Sequence, residues 1–213
     1  MQSRKDDQLM DVVSVEIPEA LENVKLPDPC LLTFYKNLNE RTIWIDDDVD
    51  ASTVEYGRFI LQWNREDKGV PVEQRKPIKI MFFSDGGDLD VNNALIDMIK
   101  ISKTPVYGYN MGKAYSAGCF IFLACHKRFA MPRSTFLLHK GSGSFEGTFD
   151  EVASHMSEYQ RSMDELCEYV VANTKITKEK LDENIWNEWF LTADEALELG
   201  VVDEIVKDIE DII

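Results

Sequence analysis

The stretch IKIMFFSDGGDLDVNNALIDMIKISKTPVYGYNM (78–111) governs the fold. IKIMFF (78–83) reads as a buried strand that stops at SDGGD, where Gly86 and Gly87 tolerate the positive φ of a sharp turn. In VNNALIDMIKI (91–101), Val91, Ala94, Leu95, Met98 and Ile101 fall on one helical stripe. Pro105 ends that helix, and VYGYNM (106–111) opens a second strand. Strand, helix, strand in this order is a crossover between parallel neighbours.

The alternation continues in both directions. Downstream come GKAYSAG (112–118), the apolar run CFIFLAC (119–125), and two short strands, RFAM and TFLLH (135–139). A long helix follows, with a heptad-like seam at Phe149, Val152, Met156, Tyr159, Met163, Leu166 and Val170. Such a seam serves either core packing or a contact between subunits. Thr192 and Glu195 fit a capping box and Gly200 a helix stop, so 193–199 is a short helix leading into the strand VVDEIV. Upstream, RTIWIDD (41–47) is a strand, TVEYGRFILQW (53–63) a helix and the polar 64–77 a loop. Residues 1–30 read as a partly flexible extension with a short helix around IPEALENV (17–24); residues 31–213 form the main domain.

Bulk properties narrow the function classes. The net charge of -16 repels nucleic-acid phosphates and anionic lipid, so neither is expected as a partner. The acidic run DEIVKDIEDII (203–213) reads as a solvated helix or tail. No stretch is apolar enough to span a membrane, and the start lacks the apolar run of a secretory signal; a cytoplasmic location is expected. The four cysteines form no C-x-x-C pair, and with three histidines no zinc-ligand spacing arises, so no metal or other cofactor is expected.

Acyl transfer needs a nucleophile, a base and donors for an oxyanion. Ser116, in A-Y-S-A-G between a strand and a helix, is either a nucleophile or a helix cap; Ala114 breaks the G-x-S-x-G elbow pattern. Gly86 and Gly87 turn backbone N–H groups toward a cleft, or form an ordinary strand-to-helix turn. His139 is the one histidine that ends a buried strand beside a Gly-rich loop, KGSGSFEG (140–147).

SDGG (84–87), GKAYSAG (112–118), MPRSTFLLH (131–139) and FLTADEALELGVVDEI (190–205), in this order, resemble the proteolytic subunit of Clp protease; FYKNLNERTIWID (34–46) resembles the segment leading into its first core strand. The resemblance implies an α/β fold of crotonase type, a repeated βαβ superhelix whose long helix protrudes as a handle. It also implies stacked heptameric rings of one subunit, an ATP-driven unfoldase of the AAA+ kind as partner, and unfolded polypeptides or peptides as substrate. Ser116 becomes the nucleophile, His139 the base, Glu188 the triad acid in place of the family's aspartate, and the N–H groups of Gly87 and Ala117, beside Gly86, the oxyanion and substrate site. Asp182 and Asp194 are lesser candidates for the acid. The sequence departs from the family at Asp85, where proline is usual, and at Lys79 and Met81, where tyrosines line the unfoldase-docking pocket. Alternatives are a non-catalytic scaffold subunit, a phage capsid-maturation protease, an acyl-CoA enzyme of the same fold, or a Ser–Lys peptidase using Lys113 or Lys140.

Overall fold

The computed structural model describes residues 28–212, so the expected helix at 17–24 and most of the extension lie outside it. Helix α1 (Pro29–Asn39) buries no side chain, and it crosses the boundary between two compact units, one ending at Lys36 and the other starting at Asn37.

The second unit is built on seven strands: β1 (Thr42–Ile45), β2 (Ile78–Ser84), β3 (Val106–Tyr115), β4 (Lys127–Ala130), β5 (Thr135–Leu138), β6 (Trp189–Thr192) and β7 (Glu204–Ile205). The parallel order is β1-β2-β3-β4-β7. β3 spans ten residues and serves two neighbours in succession. Its first half pairs with β4 and its second half with β5, both parallel; β6 then joins β5 antiparallel.

Among the described residues, six α-helices lie wholly within the unit: α2 (Val54–Glu66), α3 (Leu89–Ile101), α4 (Ala117–Ala124), α5 (Phe149–Asn173), α6 (Lys178–Asn184) and α7 (Ala193–Glu198). α4 is apolar all round and every residue of it is buried. The stripe expected on α3 is rotated. Its buried set is Val91, Asn92, Leu95, Ile96 and Ile99, because the helix wedges between α2 and α4; Ala94 is exposed and Ile101 is 73% exposed. The seam of α5 divides in two. Met163, Leu166 and Val170 enter the core, whereas Phe149 (86% exposed) and Met156 (57%) stand out in solvent. Thr148 and Glu151 form the capping box that starts this helix, and the expected box at Thr192 and Glu195 starts α7.

Polar groups are densely paired where the strands begin. The Arg41 guanidinium grips both Asp67 oxygens at 2.7 and 2.9 Å, and Thr104 Oγ1 donates to the same carboxylate at 2.7 Å. The Arg41 hydrogen bonds hold the Asp67 carboxyl below the usual carboxylate range. His126 Nδ1 accepts the Val106 N–H at 2.9 Å, and burial with the nearby Lys100 charge lowers its pKa.

Candidate active site

Where β2 and β3 end, two turns meet. In the first, Ser84 Oγ donates to Asp47 O (2.7 Å) and accepts the Gly86 N–H (3.1 Å). Val49 N–H donates to Gly86 O (2.8 Å), and Asp88 N–H donates to Val49 O (2.7 Å). These bonds clamp the Gly86–Gly87 turn against Val49. A β-carbon on Gly87 (φ 151) would lie 2.2 Å from Val49 O, and one on Gly86 (φ 101) 2.8 Å from Ser116 Cβ. Gly87 thus lets the first turn press against Val49, and Gly86 lets it press against the second turn.

The second turn carries Ser116, whose φ of 51 and ψ of -121 are sparsely populated for a residue with a side chain. Its N–H donates to Leu137 O (2.9 Å), and its carbonyl accepts from Cys119 and Phe120. Its side chain makes no capping bond to α4, so the helix-cap role is unused. Among the described residues, the N–H groups of Gly87 and Ala117 donate to no protein acceptor.

His139 directly follows β5. The last β5–β6 pair is Leu138 with Trp189, and His139 and Glu188 are the residues that flank that pair just beyond the ladder. Ser116, His139, Glu188, Gly87, Ala117 and Asp85 all line one cavity of about 580 Å³, with Gly86 packed behind it. Among the described residues, no hydrogen bond joins the Ser116 hydroxyl to the His139 ring, or that ring to Glu188. Asp182 pairs with Lys178 on α6 and lies outside the cavity wall, as does Asp194 in the first turn of α7.

The cavity also has walls that sequence reasoning did not assign to it. Phe120, Leu137, Met163 and Phe190 supply apolar surface. Tyr159 on α5 donates to Lys140 O at 2.7 Å, which ties the chain after His139 to the long helix. Tyr159 and Met163 were visible as seam positions, but nothing in the spacing pointed them at a cleft. Asp85 is paired with Lys113, whose ammonium also sits over the Phe83 ring at 5.1 Å from its centroid. Lys140 lies over the Trp186 ring at 3.9 Å. Lys140, unlike Lys113, also lines the cavity that holds Ser116. No group of three metal-ligating side chains occurs among the described residues, and none of their helices is long and apolar enough to cross a membrane.

A parallel sheet of βαβ units with a strained serine at a strand-to-helix turn, in one cavity with a histidine and a carboxylate, has the build of a crotonase-type peptidase. The Clp protease family model matches residues 31–208, and the chain belongs to that family, one of peptidases. The chain is 34% identical over 139 residues to ATP-dependent Clp protease proteolytic subunit 2 of Treponema denticola, covering 64% of this chain and 70% of the relative. It is 25% identical to the ATP-dependent Clp protease proteolytic subunit of Deinococcus radiodurans over 92% of this chain and 95% of the relative. A mutant ClpP1 from Listeria monocytogenes shares the fold with a TM-score of 0.71 at 23% identity, covering 84% of this chain and 98% of that one.

Proposed function

We propose that this chain is a serine endopeptidase acting through Ser116, His139 and Glu188. The observation that carries this reading is the shared cavity: a serine held at φ 51 with its hydroxyl free of capping duty faces the same space as His139 and Glu188, which flank the last β5–β6 pair. His139 takes the Ser116 hydroxyl proton as Oγ attacks the scissile carbonyl. The resulting oxyanion is held by the unpaired N–H groups of Gly87 and Ala117, the latter at the start of α4 where the helix dipole is positive. The His139 proton then passes to the leaving amine, and water enters by the reverse route to free the acyl group. Glu188 orients the imidazole and stabilises its cation. The Lys113 ammonium screens Asp85, so the charge that replaces the family's proline is kept from opposing the oxyanion. The substrate peptide lies as an added strand between the SDGG turn and the chain after His139.

By kinship with proteolytic subunits of ATP-dependent proteases, the working form is a stack of heptameric rings in the cytoplasm, fed with unfolded protein by an AAA+ unfoldase. The unmade Ser116–His139 bond favours a second reading, a scaffold subunit that is silent alone. A fluorophosphonate probe with peptide mapping separates the two. The peptidase reading expects label on Ser116, none on Ser116→Ala, and peptide cleavage lowered at least about 1,000-fold in that variant with its assembly mass unchanged. Label on another serine, or none on the assembled wild-type chain, overturns it.

A further inference from the structure

The main cavity has a smaller neighbour of about 280 Å³, and His139, Lys140 and Glu188 line both. Trp186 lines the smaller one only. An ammonium, a carboxylate and an imidazole thus share one partition. Opposite charges placed this way attract, and an ion pair between Lys140 and Glu188 is the expected outcome. Among the described residues that pair is not made. The Lys140 ammonium lies over the Trp186 ring instead, 3.9 Å from its centroid, while the cationic partner on the neighbouring α6, Lys178, is held by Asp182.

The backbone prepares this contact. Lys140 N–H donates to Ile185 O at 3.2 Å, and Tyr159 Oη donates to Lys140 O at 2.7 Å, so the chain at Lys140 is held from both sides. The first of these bonds stitches the residue after His139 to the residue before Trp186, which brings the lysine stem alongside the indole. Trp186 is 71% exposed. A lone exposed ring is common and means little by itself; this one carries a cation. Exposed cation–π contacts and exposed ion pairs are both weak and of similar strength. The two placements of the ammonium therefore lie close in energy, and the ring decides between them. An ammonium on Glu188 would occupy the carboxylate that orients the His139 N–H and would cancel the charge that steadies an imidazolium.

We propose that Trp186 is a positioning residue for the peptidase reaction: its indole holds the Lys140 ammonium off Glu188 and so leaves that carboxylate free to orient His139. The inference rests on the peptidase reading given above. It assigns Trp186 no contact with substrate. It also states a dependence that a packing role lacks. The ring matters only while the ammonium is there to be held, whereas a packing contact acts with or without Lys140.

The test is the rate at which a fluorophosphonate labels Ser116 in the assembled chain, measured across the cycle of Trp186→Ala, Lys140→Met and the two together. Trp186→Ala should slow labelling at least about 10-fold at unchanged assembly mass, a smaller loss than removal of the acid itself. Trp186→Phe, which keeps an aromatic face for the cation, should stay within about three-fold of the wild type. In the Lys140→Met background, Trp186→Ala should cost less than about two-fold. Equal losses in both backgrounds overturn the proposal, as does a Trp186→Ala chain that labels at the wild-type rate. So does loss of all labelling in Lys140→Met alone, which would make the lysine the base. Should Trp186→Ala fail to assemble, Trp186→Leu replaces it with the same thresholds, and failure of both to assemble overturns the proposal in favour of a packing role. A wild-type chain that takes no label brings down the peptidase reading and this inference with it; a labelled wild type without the lysine-dependent loss brings down this inference alone.

Discussion

The two edges of the parallel sheet are built to opposite rules. Where the strands begin, donors and acceptors are matched: Arg41 with Asp67 and Thr104, Val106 with His126. Where β2 and β3 end, Ser116 sits at a positive φ, and among the described residues the N–H groups of Gly87 and Ala117 have no protein partner. Ligands of open α/β sheets bind outside the carboxyl ends of their strands. The contrast gives this location a physical basis: the leading edge has its polar groups satisfied, and the trailing edge leaves two backbone donors facing a cavity.

The contrast breaks most visibly at Arg41. Arg41→Ala leaves the Asp67 carboxylate nearly buried and without its ion partner, and should cost about 3 kcal/mol in urea unfolding, with cleavage per folded molecule unchanged. A loss of turnover larger than the loss of folded chain would show that the two edges are coupled. At the other edge, Gly86→Ala should act the opposite way. Its methyl meets Tyr115 O at 2.7 Å and Ser116 Cβ at 2.8 Å, displacing the serine and lowering kcat about 100-fold, with stability less affected. Full activity in that variant would mean that the turn contact does not position Ser116. The smallest effect is a pH dependence at the leading edge. The folded pKa of His126 lies below its ordinary 6.5, so the unfolded chain binds the proton first. The stability that comes from holding this imidazole neutral in its half-buried site beside Lys100 is then fully present above about pH 6.5 and declines as pH falls below it. Urea midpoints between about pH 7 and pH 5.5 should show this slope, and His126→Gln, which keeps an acceptor but does not titrate there, should flatten it.

Much of this arrangement was readable before any coordinates. The strand-turn-helix run from Ile78 to Met111 needs only local rules, and so does the capping box that starts α7. What escaped was set by distant partners. The α3 stripe turned because α2 and α4 decide which side of it is covered. The four residues of β6 show too short a pattern to announce a strand; antiparallel pairing with β5 makes them one, and Glu188, just before it, lines the same cavity as His139. The pairing of Asp85 with Lys113 was not legible, because the two lie 28 residues apart in the chain. The acidic tail read as solvated, since its sequence carries no sign that Ile212 is buried with Met81, Tyr109 and Phe129.

The bond from the Ser116 N–H to Leu137 O has a mechanical corollary. Together with the β3–β5 ladder, it splices the serine turn to the strand that delivers His139, so those two side chains ride on one rigid piece. Glu188 arrives separately, immediately before a four-residue rim strand that, among the described residues, pairs with β5 alone. Peeling β6 from β5 would release the segment that ends at Glu188 while leaving the piece that bears Ser116 and His139 intact.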